Sequence, residues 1–246
     1  MPENPGMSRR KLIGLGAATI ASAALPDAIL GLSQAAAAAT GPTPGIGYFA
    51  RFGVTEKMLR DGLAAALSRG ADYADLFFQH RVSNGLGLED GEVNRASTSV
   101  ELGVGVRAIK GDQTGYAYTE DLTEEALVRA AKTAAAIADG PVRQGPKGLK
   151  VDAALPARYP VKTRWEDVRP QQKLPLLAGL NEKVLAADKR MKKVNVSFGD
   201  EAGAILFADS NGRVVEDLQP MTRLYLSCVA EQDGKKETNG YNVAGR

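Results

Sequence analysis

Apolar residues recur at Met58, Leu59, Leu63, Ala66 and Leu67, a helical spacing that predicts a helix from Thr55 to Arg69. Thr55 can cap it, Glu56 stands in its positive first turn, and Gly70 follows its end. The period then changes. Tyr73 to Val82 (YADLFFQHRV) is rich in aromatic and branched residues and predicts a strand; Gly85 to Glu89 predicts a second, ended by the turn Asp90-Gly91. Val100 to Ile109 alternates Leu102, Val104, Val106 and Ala108 with other residues, giving a third strand. Thr114 to Tyr118 returns as a hairpin arm after the turn Lys110-Gly111-Asp112-Gln113. Thr123 opens a second helix, with Glu124 and Glu125 in its first turn and Leu127, Ala130, Ala131, Ala134 and Ile137 on one stripe to about Ala138.

Gly140 to Tyr159 carries three prolines and three glycines and reads as a linker. Pro175 suits the first turn of a third helix continuing through Leu177, Leu180, Val184 and Leu185 to about Asp188. Strands are expected at Lys193 to Phe198, Ala204 to Ala208, Arg213 to Asp217 and Arg223 to Ala230. Turn signals at Gly199-Asp200, Ser210-Asn211-Gly212 and Asp233-Gly234 separate them. From Asp233 to Arg246 the chain is polar and without periodicity, with no obvious closing element. The expected class is α+β, mainly antiparallel strands with about three helices. The division is a leader over 1–39, an α+β domain over 40–140, a linker over 141–159 and a strand-rich continuation over 160–246.

The leader has its own pattern. Arg9 and Arg10 stand directly before the uncharged stretch Leu12 to Leu25, Pro26-Asp27 interrupts it, and Ala37-Ala38-Ala39 offers a small-residue exit. A basic start, a short mild apolar run and a small-residue end mark a secretory signal. Paired arginines point to the twin-arginine route, so the chain is expected to be exported, periplasmic or otherwise extracytoplasmic. The run is too short to span a bilayer as an anchor. Contact with a membrane is expected only through this signal.

Composition removes several classes. With 44% hydrophobic and 24% charged residues the chain is ordinary globular material, and its formal charge of +2 is scattered, which argues against nucleic acid as a partner. It has one cysteine, Cys228, and one histidine, His80, so no internal disulfide can form and a zinc site lacks its usual donors. His80 ends an apolar strand with no Cys or carboxylate at ligand spacing; it reads as half-buried or surface. Cys228 alternates with Leu224 and Leu226 and reads as core. Asp72 and Asp75, Glu89-Asp90 and Glu120-Asp121 are paired carboxylates at positions that equally suit caps and turns. Ser97, Thr98 and Ser99 have no base nearby and no elbow motif. Gly103-Val104-Gly105-Val106-Arg107 with Gly111 lacks the spacing of a phosphate loop and runs on as strand; its glycines suit the close approach of another backbone. No catalytic or metal-binding residue is assigned in this chain, the substrate-binding residues are left unassigned, and Arg9 and Arg10 are the only site residues named.

Several segments together resemble the TldD/PmbA family of zinc metallopeptidases, also described as modulators of DNA gyrase. They are Tyr73-Ala74-Asp75-Leu76-Phe77, Leu88-Glu89-Asp90-Gly91, Gly103 to Ile109 and Thr114 to Thr119. Asp188 to Val196, Asp209 to Asp217 and Arg223 to Glu231 continue the resemblance in order, on the TldD side of the family. It implies a subunit about twice this length that pairs with a homologous TldD or TldE subunit and admits unfolded or extended peptides. It also implies zinc held by a His-Glu-x-x-x-His helix and a distant cysteine. That motif does not occur in the chain, and Cys228 precedes the place where it would begin, so no zinc ligand transfers. The expectation is the N-terminal portion of an exported TldD-like zinc metallopeptidase, inactive alone, with no cofactor of its own. The alternative is a non-catalytic partner or peptide-binding subunit using edge-strand addition.

Overall fold

The computed structural model describes residues 46–139, 146–151 and 163–245. Arg9, Arg10 and the whole leader lie outside the described residues, as does most of the linker. The elements run in chain order: a 3-10 turn Phe49–Phe52, α1 (Glu56–Leu67), β1 (Tyr73–Glu89), β2 (Glu92–Lys110), β3 (Gln113–Thr119), α2 (Glu124–Ile137) and β4 (Lys150–Val151). A second 3-10 turn, Trp165–Asp167, precedes α3 (Pro170–Ala187), β5 (Met191–Asp209), β6 (Arg213–Gln232) and β7 (Lys235–Gly245). The fold is α+β. One seven-stranded sheet has the order β3-β2-β1-β5-β6-β4, with β7 also on β6; every pairing is antiparallel except β4 with β6.

Four of these strands are 17 to 20 residues long, against about 5–6 for an ordinary strand. The sequence pattern divides three of them, and the structure corrects it. Tyr73–Glu89 is continuous through Gly85, because Gly85 lies opposite both Ser97 and Gly199 in unbroken ladders. Gly199-Asp200 is not a turn: Asp200 is 3% exposed and paired on both sides. β6 runs straight through Pro220, which falls between β4 (opposite Arg213 and Val214) and β7 (from Thr222), where no strand among the described residues pairs with the outer edge of β6. A proline there removes no ladder bond on that edge. The polar tail is also strand, since the αL pair Asp233 (φ 52°) and Gly234 (φ 75°) turns β7 back onto β6. Asp90 (φ 51°) and Gly91 (φ 91°) make the same kind of turn between β1 and β2.

The helices follow their signals more closely. Thr55 Oγ1 accepts the Met58 N–H and Thr123 Oγ1 the Ala126 N–H, capping α1 and α2. Ile137, placed on the buried stripe by spacing, is 55% exposed because α2 ends there. The third helix starts five residues before Pro175. Pro170 occupies its first turn and the Gln172 side chain reaches back to the Arg169 N–H at 2.8 Å, so Pro175 sits inside the helix instead.

All three helices lie on one face of the sheet. Even-numbered residues of β1, β5 and β6 point there, and two cores form at opposite ends of the same strands. At one end α1 and α2 cover Ala74, Leu76 and Phe78 of β1, Val104, Val106 and Ala108 of β2, and Leu206 of β5. At the other, α3 covers Leu86 and Leu88, Val194, Val196 and Phe198, and Leu224, Leu226 and Cys228. α2 presses closely on β3: a Cβ on Gly115 would come within 1.9 Å of the Ala134 carbonyl oxygen. Among the described residues no helix covers the other face.

Candidate functional site

Between the two cores the helical face narrows to a polar waist. The chain entering at Tyr48 is pinned there, since the N–H groups of Tyr48 (2.8 Å) and Phe49 (3.2 Å) donate to the Glu216 carboxylate. The Tyr48 hydroxyl and His80 Nδ1 are hydrogen-bonded at 2.7 Å, and Phe52 packs on the imidazole at 4.9 Å. Arg51 lies 3.9 Å over the Tyr48 ring. Beside this pair a cavity of about 50 Å³ is lined by Arg164, Trp165, Glu166, Leu218 and Pro220 among others, room for little more than water. Burial holds the His80 pKa below its ordinary value; the Glu166 charge opposes that shift and Arg51 adds to it. Burial first, and Glu166 second, raise the Tyr48 hydroxyl.

The sign for stability follows. A histidine whose folded pKa is depressed contributes stability above its unfolded pKa, about 6.5, and loses it as pH falls through the folded value. His80 is the only histidine. The thermal midpoint is therefore expected to fall between pH 7.5 and 5.5, and His80→Gln to flatten that slope; equal slopes in scanning calorimetry would contradict the waist as drawn.

Most of the other sequence candidates are tied into turns, ion pairs and strand packing. Asp75 is 5% exposed and takes both Nε (2.9 Å) and Nη2 (2.6 Å) of Arg107, while Asp72 accepts the Gly111 N–H at 2.9 Å. Burial, then Asp75 and Asp209, push the Tyr73 hydroxyl up to about 12. Glu89 is paired with Lys193; Asp90 accepts the Val194 N–H and Asp121 the Thr123 N–H. Thr98 donates to Asn84 Oδ1 on the helical face, whereas Ser97 borders a hollow on the other face, the one opposite His80. Gly103 and Gly105 make room for a neighbour, as their spacing suggests: a Cβ would meet the Thr119 carbonyl at 2.9 Å and the Tyr116 hydroxyl at 2.6 Å. Cys228 is 7% exposed and burial raises its thiol.

These positions also test the zinc set implied by the resemblance. Among the described residues no three His, Cys, Asp or Glu side chains gather as metal ligands. His80 is engaged by Tyr48, and Cys228 lies in the other core. The described residues do not fit a zinc site, and no chemical step is assigned to one.

The helix-free face and one sheet edge are different. β3 pairs only with Val104–Lys110, so the outer edge of β2 from Glu92 to Gly103 has no strand beside it among the described residues. Such an edge is a ready template for another chain. Two hollows open next to it. One, of about 570 Å³, is floored by Gly103 and Gly105 and walled by Phe77, Tyr116 and Tyr118, with Gln79, Glu101 and Glu120 at its rim. Phe77, Tyr116 and Tyr118 are 40%, 58% and 71% exposed, a large aromatic surface for a protein face. The second, of about 380 Å³, lies at the other end of β2. Spacing could not reveal either, because each is assembled across three or four strands whose register the sequence does not carry.

Comparison with known proteins places this architecture. Residues 74–138 match the model of PmbA/TldA metallopeptidase domain 1, and residues 163–246 match that of the PmbA/TldA metallopeptidase central domain. Together they cover more than half of the chain.

The chain belongs to the PmbA/TldD family.

A relative named as a metalloprotease TldD homolog in Haemophilus influenzae is 32% identical over 182 residues, 72% of this chain and 37% of that protein. One of the same name in Buchnera aphidicola subsp. Acyrthosiphon pisum is 30% identical over 170 residues, 69% of this chain and 35% of its own. The chain thus spans little more than a third of these PmbA/TldD relatives. The crystal structure of TldE from Thermococcus kodakarensis superposes with a TM-score of 0.56 at 19% identity, covering 77% of this chain and 42% of that one. A Bacteroides thetaiotaomicron crystal structure does so at 0.59 and 18%, covering 77% and 44%. At these identities the two likenesses establish the fold. The two segments matched by the PmbA/TldD models share a single sheet here, because β1 of the first pairs with β5 of the second along fifteen residues.

Proposed function

We propose that this chain is the peptide-receiving part of an exported TldD-like zinc metallopeptidase, and that the zinc ligands of the whole protein come from outside the residues described above. The observation that carries this reading is the free β2 edge from Glu92 to Gly103, flanked by a helix-free face with an aromatic hollow. An extended chain lying along that edge would satisfy both its own backbone groups and those of β2, with alternate side chains dropping into the hollows. The metalloprotease names of the relatives support a peptide as the ligand. The Arg9-Arg10 signal supports export to the periplasm.

The TldE neighbour supports a second use of the same edge, pairing with a homologous subunit, which is the reading of the chain as a non-catalytic partner. Expression of the whole chain tests these statements together. The chain is expected in the periplasmic fraction, without stoichiometric zinc by elemental analysis, without cleavage of unfolded casein, and with retention of extended peptides on a column. One zinc per chain would contradict the division of labour, and cytoplasmic retention would contradict export.

A further inference from the structure

The hollow of about 570 Å³ opens on the helix-free face where β3 stops, at the inner end of the free β2 edge. Three rows of the sheet build it. Phe77 of β1, Gly105 of β2 and Tyr118 of β3 lie level with one another, and Gln79 lies level with Gly103 in the next row. In the third row Arg81 lies level with Glu101. Glu120 follows Thr119, the last residue of β3, which lies opposite Val104. It therefore falls level with Gly103, and a Cβ on Gly103 would come within 3.5 Å of the Glu120 Cα. Gly103 and Gly105 leave β2 bare between Phe77 on one side and Tyr116 and Tyr118 on the other.

A chain added along the β2 edge would continue the line of β3, beginning just past Glu120. Its residue level with Glu101 would lie one strand spacing from Glu101, about 4.8 Å, and two residues from Glu120 along the line of β3, about 7 Å. Residues level with one another share a face, so its side chain would stand on the helix-free face beside Glu101. The ladder thus sets both carboxylates around one position of an edge-bound chain, and a long side chain leaning from there along β2 passes over the bare Gly103 toward Tyr118. The charge around that path is one-sided, because Glu101 and Glu120 line the hollow and no Lys or Arg does. Glu101 accepts from Gln79 Nε2, itself part of the lining, at 3.3 Å. Arg81 is shared between Glu101 at 4.0 Å and Glu201 at 3.2 Å, and Arg107, level with Tyr116, is taken up by Asp75 at 2.6 Å. Carboxylates at the mouth and exposed aromatic rings on the walls attract the same ligand, an organic cation, the first by charge and the second through the ring quadrupole.

We infer that this hollow is a subsite for a basic side chain, so that the chain selects extended peptides with a lysine or arginine at the position level with Glu101. The inference rests on the reading that an extended peptide lies along the β2 edge. Fluorescence anisotropy with two labelled ten-residue Ser/Thr peptides, one with a central lysine and one with a central glutamine, tests it. The lysine peptide is expected to bind on the order of tenfold more tightly. Glu101→Gln, Glu120→Gln and Tyr118→Ala are each expected to reduce that preference to about threefold or less. All three side chains are exposed, so the thermal midpoint is expected to stay in place. Glu125→Gln makes the same charge change on α2, in the helical layer, and is expected to keep the full preference.

Equal affinities for the two peptides, a preference that survives Glu101→Gln and Glu120→Gln, or an equal loss in Glu125→Gln would overturn the subsite while leaving peptide binding intact. The n-butylammonium ion reads the hollow without a peptide, through the Tyr116 and Tyr118 ring resonances, with n-butanol as the uncharged control. If neither peptide binds but the ammonium alone shifts those rings, and does so less in Glu120→Gln, the cation site stands and the peptide reading falls. If neither peptide nor ammonium has an effect, the subsite is overturned.

Discussion

Replacing Lys173 by Ala is expected to lower the unfolding free energy by about 3–5 kcal/mol in urea denaturation. Lys173 of α3 and Asp200 of β5 are 2.5 Å apart with side chains only 2% and 1% exposed. Asn84 Nδ2 donates to the other Asp200 oxygen at 2.9 Å, and the ammonium lies 5.4 Å from the Trp165 ring centroid. Removing the lysine leaves a carboxylate buried in the sheet with one amide for company, and the loss is the desolvation of that charge rather than the value of the pair. The double variant Lys173→Met/Asp200→Leu is therefore expected to recover most of the loss, because no charge is then stranded. A loss below about 1 kcal/mol, the range of exposed pairs, would mean that water reaches this site.

Phe78→Ala is expected to remove about 3–5 kcal/mol by leaving a cavity under α1. Phe78 is fully buried, in the core that includes Leu59, Leu63 and Leu76, and its ring centroid is 5.9 Å from that of Phe49. The two substitutions probe different cores at opposite ends of shared strands. Because β1 and β5 run through both, each variant is expected to shift one common transition, and the two losses to add. Two separable transitions, one moved by each variant, would show that the sheet does not couple its ends.

The first two helices and the Asp-Gly turns were legible because their causes are local: a capping threonine, an apolar stripe, an Asp-Gly pair. Strand length was not legible because its causes are distant. Gly85, Gly199-Asp200 and Pro220 look like interruptions until their partners are known. In the sheet they are a glycine strip, a buried carboxylate neutralised from α3, and a gap in an outer edge. The tail after Asp233 has no apolar period because β7 is exposed along almost its whole length and is held by backbone pairing with β6. The half-buried place of His80 and the core place of Cys228 were legible, since each follows from the alternation of its own strand. The free edge of β2 was not legible. Nothing in Glu92 to Gly103 says that β3 will stop at Thr119 and leave it without a strand beside it among the described residues.

The most direct test of that edge is amide hydrogen exchange across Glu92 to Gly103, with and without a saturating extended peptide. Peptide lying along β2 is expected to slow exchange at alternate amides of this segment, those directed away from β1, while the interior ladder between β1 and β5 stays unchanged. Binding without any new protection in Glu92 to Gly103 would contradict the account.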